Sequence, residues 1–212
     1  MALILCIETG TDICSVALAR DGEMIALRES DLGKDHARKV GVFTQELLRE
    51  HDIAPDELDA VAVGKGPGSY TGLRIGVSFA KGLCYALGIP LLAIDSLRSL
   101  AACLVEEVEA GIVDIEDWER VALCPMIDAR RMEAYTTIYN RALKEARKVQ
   151  ADIIDEHTYD EWLNKGVVYF FGNGAEKCKE VIKHQNARFI DNIHPSARMM
   201  LPLAELAIAA LI

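Results

Sequence analysis

Apolar positions open the chain in three short β-prone runs, ALILCIETG, DICSVALAR and EMIALRES, broken at Gly10–Thr11 and at Asp21-Gly22. Asp-Gly between apolar runs is a strong hairpin signal, so the spacing predicts an antiparallel meander. The period then becomes helical from Asp35, a candidate cap, to about Glu50. DELDAVAVG predicts a buried strand leading into a glycine-rich segment. A helix over about Thr71–Leu87 follows, closed by Gly88 and Pro90, then a strand in IPLLAID and a helix over about Ser96–Glu109. The order β-β-β-α-β-α-β-α predicts a mixed sheet with helices on its faces, an α/β fold.

Around Ala110–Glu119 the apolar pattern weakens and acids gather, which predicts a lobe boundary there. The expected lobes are 1–109 and a smaller 110–212, whose last helix, about 196–212, is free to pack back on the first. In the second lobe RVALCPMID, EAYTTIYN and VVYFFGNG predict strands, and GAEKCKEVIKH and SARMMLPLAELAIAALI predict helices. This order only loosely echoes the first lobe.

Composition narrows the class. With 212 residues and 51% apolar content the chain can bury a sizeable core. A formal charge of −10 disfavours direct binding of bare nucleic acid, which needs clustered Lys and Arg. The six cysteines show no Cys-x-x-Cys spacing and lie mostly in apolar runs, as expected of reduced core residues in a cytoplasmic protein. The start lacks a basic flank, and the last apolar run is about half the roughly 20 residues of a membrane span, so no membrane role is expected. The chain ends at Ile212 inside an apolar helix, as a truncated chain would.

The candidate chemistry centres on GKGPGSYTGLRIG, residues 64–76, with five glycines and one proline. Gly66, Gly68 and Gly72 permit close backbone approach, and the amides from Ser69 through Thr71 to Leu73 would sit at a helix N-terminus that favours an anion. The spacing is neither a Walker loop nor a Rossmann fingerprint. A phosphate contact and a tight packing turn are both open here. IETGTD offers Glu8, Thr9, Gly10, Thr11 and Asp12 as a second place for Mg2+ and phosphate, or only a turn. His36 has Val40 four residues later, so no His-x-x-x-His pair stands on one helical face to share a metal. Ser69 is the nearest thing to an exposed nucleophile, with no base identified near it. Arg130, Arg131 and the run Arg141–Lys148 are basic but set among acids, as a solvated face or a phosphate contact would be.

Four segments carry a family resemblance: LILCIETGTDICSVAL, KGPGSYTGLRIGVSFAKGLCYALGIPLLAIDSL, PMIDARRMEAYTTIY and FFGNGAEK. They resemble the TsaB family, the bacterial partner subunits in making threonylcarbamoyladenosine on tRNA. The resemblance implies two ribonuclease-H-like lobes of the actin-like and Hsp70-like ATPase architecture. It also implies a non-catalytic chain that supports a TsaD-like catalytic subunit together with a TsaE-like ATPase, with tRNA met only through the complex. No catalytic residue or metal ligand is assigned, and no cofactor is required by this chain alone, ATP or ADP with Mg2+ being an option in the complex. Catalytic members hold a metal partly through the His-x-x-x-His pair that is broken here.

Two helical stripes, His36, Val40, Phe43 and Leu47, and Leu73, Val77, Ala80 and Cys84, are either core or the helical pair that the resemblance implies meets TsaD, or a second copy when the chain is alone. Gly66, Gly68, Ser69, Thr71 and Gly72 are the candidate phosphate contacts. The alternatives are a stand-alone Mg-nucleotide ATPase or phosphotransferase built on Glu8, Asp12 and the glycine loop, and a peptidase.

Overall fold

The computed structural model describes residues 2–31 and 35–211. The chain forms two compact units, one made of Met1–Ser99 with Pro195–Ile212 and the other of Leu100–His194. The division falls between Ser99 and Leu100, earlier than the acid-rich stretch after Ala110. The first turn of the helix there is held in the first unit, Ser99 N–H donating to the Asp95 carbonyl.

The first unit carries β1 (Leu3–Glu8), β2 (Cys14–Arg20), β3 (Glu23–Ser30), α1 (His36–Glu50), β4 (Ala60–Gly64), α2 (Tyr70–Leu87) and β5 (Leu91–Ile94), followed by the start of α3 (Ser96–Glu109). The sheet order is β3-β2-β1-β4-β5, antiparallel from β1 through β3 and parallel from β1 through β5. Every residue of β1 is buried because both faces are covered. Leu3, Leu5 and Ile7 join the cluster containing Val40, Leu47, Ala80 and Cys84, while Ile4 and Cys6 pack with Ala197, Met200 and Ala204. Alternation by side and burial on both sides together turn the strand into an unbroken apolar run. Asp21 and Gly22 both have left-handed φ, 56° and 79°, as the predicted hairpin requires. Asp35 stands at the N-cap of α1 but makes no side-chain cap; its carbonyl accepts from Arg38 and Lys39.

The second unit carries β6 (Ala122–Asp128), β7 (Glu133–Tyr139), β8 (Glu145–Ile153), α4 (Asp160–Leu163), β9 (Val168–Phe171) and β10 (Ala187–Ile190). Its order, β10-β9-β6-β7-β8, reproduces the first sheet strand for strand, with the same parallel and antiparallel pairings. The loose echo in the sequence is therefore a full repeat of topology. Its helices have shrunk: α4 has four residues, and GAEKCKEVIKH forms only a 3-10 turn at Glu176–Cys178 instead of the expected helix. The basic run that ends at Lys148 leads into β8, an edge strand exposed over most of its length, which hides its strand character behind polar residues.

The chain's last segment likewise departs from one continuous helix. Ala197–Met200 is 3-10, and α5 (Leu201–Ala209) begins with Pro202 in its first turn. The Ser196 hydroxyl donates to Glu29 Oε1 at 2.6 Å, Ala197 N–H to Ser15 Oγ at 2.9 Å, and Gly22 N–H to Glu205 Oε1 at 2.9 Å, so the segment is pinned to β2 and β3. All six cysteines are buried, as expected of core residues, and burial pushes the thiols of Cys14 and Cys178 up to about 11. Among the described residues no helix is long and apolar enough to cross a membrane.

Candidate functional site

The glycine loop connects β4 to α2 and folds against the β1–β2 turn. Each glycine there answers a specific close approach. A Cβ on Gly68 would lie 2.3 Å from the Gly10 carbonyl oxygen, one on Gly72 2.0 Å from the Thr9 carbonyl oxygen, and one on Gly76 2.3 Å from Thr9 Oγ1. Thr9 Oγ1 in turn donates to the Gly72 carbonyl at 2.8 Å. Gly66 adopts φ 92°, open to glycine alone at no steric penalty, and its peptide to Pro67 is cis.

Two of the donors at the start of α2 are engaged with neighbouring atoms of the unit. Ser69 N–H donates to the Gly10 carbonyl at 2.7 Å, and Ser69 Oγ caps the helix by accepting from Gly72 N–H at 3.3 Å. Gly88, at φ 70°, ends the helix, with its N–H on the Cys84 carbonyl. Of the candidate phosphate contacts, Gly68, Ser69 and Gly72 thus touch the β1–β2 turn, Gly66 makes the bend, and Thr71 is exposed.

Glu8 lies under the same loop, 1% exposed. Its Oε1 accepts from Gly10 N–H at 2.8 Å and its Oε2 from the Ser96 hydroxyl at 2.9 Å. Gly64 leaves room for it, since a Cβ there would come within 2.4 Å of Oε2. Burial pushes the carboxyl above its ordinary range, and the bonds from Gly10, Ser96 and Thr9 only partly oppose this. A carboxyl so enclosed has no oxygen turned outward for Mg2+, and Asp12 stands exposed on the loop. The arrangement does not fit a Mg-phosphate site.

His36, at the start of α1, is buried and its Nε2 lies 2.9 Å from the Thr11 carbonyl. A carbonyl only accepts, so Nε2 carries the proton and donates. The imidazole ties α1 to the β1–β2 turn, and Val40, one turn on, lies in the core. Among the described residues no cluster of His, Cys, Asp or Glu could hold a metal ion. Ser69 Oγ has no histidine partner among them either.

The two stripes expected at a partner interface turn largely inward. His36, Val40, Leu47, Ala80 and Cys84 are buried, and Phe43, Leu73 and Val77 are half-buried. A helix lying on a sheet directs its apolar stripe to the sheet first. What remains open is a groove of about 400 Å3 between α1 and α2, lined by Ala37, Val40, Arg74, Ile75, Ser78 and Phe79 among others. Tyr70 and Tyr85 stand out from α2, 74% and 91% exposed. The period of the stripe could not reveal this groove, because it arises where two helices meet.

A family model described as TsaD, tRNA N6-adenosine threonylcarbamoyltransferase, matches residues 30–207. The chain belongs to the TsaD family. Within that family it matches both TsaB proteins and tRNA N6-adenosine threonylcarbamoyltransferases. It is 38% identical over 136 residues to the tRNA threonylcarbamoyladenosine biosynthesis protein TsaB of Bacillus subtilis, covering 64% of this chain and 54% of that one. The protein of the same name from Haemophilus influenzae is 30% identical over 164 residues, 77% of this chain and 63% of its own length. The matched region thus spans less than two thirds of either curated relative. A crystal structure from Pseudomonas aeruginosa, described as an uncharacterized protein with similarity to peptidase YeaZ, superposes with a TM-score of 0.79 at 28% identity, covering 99% of this chain and 93% of that one. The two-lobed mixed-sheet architecture is that of this family.

Proposed function

We propose that this chain is a non-catalytic subunit of the cytoplasmic machinery that forms threonylcarbamoyladenosine on tRNA. It docks a TsaD-like catalytic subunit, works with a TsaE-like ATPase, and meets tRNA only within that assembly. The observation that carries the reading is the fate of His36: its Nε2–H is held by the Thr11 carbonyl and its i+4 neighbour is a core valine. One buried imidazole cannot supply the paired ligands a metal needs on a helix face. Membership of a tRNA-modifying family supports the substrate class.

The docking face is the groove between α1 and α2 with its flanking tyrosines, a partly apolar surface rimmed by polar residues. The same face pairs two copies when the chain is alone. The glycine loop shapes this face: Gly68, Gly72 and Gly76 bring α2 down on the β1–β2 turn, as a backbone scaffold and not a nucleotide cradle. The inward Glu8 speaks against a stand-alone ATPase or phosphotransferase, and Ser69, used as a cap, against a peptidase.

The purified chain is expected neither to hydrolyse ATP nor to modify tRNA. Adding a TsaD-like subunit gives one co-eluting species in size exclusion, and adding a TsaE-like ATPase gives modified tRNA. Separate peaks, or a reaction that runs equally well without this chain, would remove the proposal.

A further inference from the structure

The β6–β7 turn occupies in the second unit the place that the β1–β2 turn has in the first, and Asp128 ends β6 as Glu8 ends β1. The chemistry at the two places has diverged. Glu8 is buried, whereas Asp128 is exposed and its charge is already matched. Its Oδ1 accepts from Arg130 N–H at 3.0 Å and pairs with Lys177 Nζ, which also donates to the Glu133 carbonyl at 2.6 Å.

Arg130 and Arg131 follow with φ 71° and 48°. They lie in a four-residue loop, residues 129–132, closed by Glu133 N–H on the Arg130 carbonyl at 3.1 Å, and left-handed φ is a conformation that Gly, Asn and Asp adopt more readily than arginine. Two arginines there run against local preference, the kind of local violation expected where side-chain chemistry outweighs ease of folding. Both residues are exposed, and among the described residues neither guanidinium forms an ion pair. In a chain of net charge −10 this is a local reversal of sign. An exposed turn suits the phosphate of a long polyanion, while small ligands are held in concave, enclosing sites.

We propose that Arg130 and Arg131 contact backbone phosphate of the tRNA held in the assembly, fixing its orientation without reading its sequence. This inference rests on the subunit role proposed above. The test is fluorescence anisotropy of labelled tRNA on the assembled complex across a salt series, with the unchanged chain, with R130K/R131K and with R130N/R131G. The last variant places residues that tolerate left-handed φ at both positions, so it keeps or raises the thermal midpoint while removing both charges. Each phosphate contact contributes about 0.7 to 0.9 to the slope of log affinity against log salt. R130N/R131G is expected to weaken binding and lower that slope by about one to two, R130K/R131K to keep most of it, and co-elution of the subunits to be unchanged in both. An unaltered slope for R130N/R131G in an intact assembly overturns the inference and leaves the subunit role standing. Failure of the unchanged chain to assemble overturns the subunit role, and the inference with it.

Discussion

The Ser96 hydroxyl donates to Glu8 Oε2 at 2.9 Å across 88 residues of sequence, joining the end of β1 to the start of α3 beneath the glycine loop. Because burial raises the Glu8 carboxyl, the folded state favours its protonated form. A raised folded pKa stabilises fully below the unfolded value, about 4.3, and that contribution is lost as pH rises through the folded value. Glu8→Gln keeps an acceptor for Gly10 and a donor for Ser96 without a charge. Its stability relative to the unchanged chain is expected to improve from pH 5 to pH 8 in urea unfolding, and a pH-independent difference would refute this. Glu8→Ala removes both bonds and leaves a void, with an expected loss of about 2–4 kcal/mol.

Gly72 and Gly82 lie on the same helix in opposite situations. A Cβ on Gly72 would sit 2.0 Å from the Thr9 carbonyl oxygen, whereas one on Gly82 meets nothing within 4 Å. Gly72→Ala is expected to cost about 3 kcal/mol or more, by forcing α2 off the β1–β2 turn. Gly82→Ala should stabilise by about 0.5–1 kcal/mol through helix propensity alone. Thermal unfolding of both variants checks the contrast.

In the second unit Asp152 accepts hydrogen bonds from Tyr159 at 3.0 Å, from Thr136 and from Arg147, with the Arg147 guanidinium over the Tyr159 ring. Burial pushes the Asp152 carboxyl up, but the bonds from Arg147 and Thr136 outweigh it and hold the group below its ordinary value. A lowered folded pKa stabilises above the unfolded value, about 3.9, and the benefit disappears as pH falls through the folded value. Asp152→Asn is expected to cost about 3 kcal/mol near neutrality, since it leaves Arg147 half-buried and unpaired. Its deficit should shrink as pH falls below about 4, as acid-unfolding curves of the two proteins would register.

Ser78 is exposed on α2 in the groove beside α1. Ser78→Arg should leave the thermal midpoint within a degree or two, because surface changes away from special features shift stability by under about 0.5 kcal/mol. It should weaken association with a TsaD-like subunit at least tenfold by calorimetry, as a long cation fills the groove. Undiminished binding would move the interface elsewhere.

The inward turn of the two helical stripes shows where sequence and structure part. Val40, Leu47, Ala80 and Cys84 were legible as a periodic set, yet period alone does not say which body the face meets. Edge strand β8 escaped notice because exposure erases the alternation that marks a strand, and the segment around Glu176–Cys178 has helix-forming residues yet takes only a 3-10 turn.

By itself the sequence determined the order of elements in the first unit, the hairpin at Asp21-Gly22 and the glycine-rich turn that enters α2. Those properties are local: strand burial on two faces, the φ that a turn demands, and the period of a helix. Only the tertiary structure decided that Gly72 rests on Thr9, 63 residues away, that His36 serves the Thr11 carbonyl, and that the second sheet repeats the first. Those are meetings between segments distant in sequence, and no local period or turn preference encodes which distant atom a backbone group will meet.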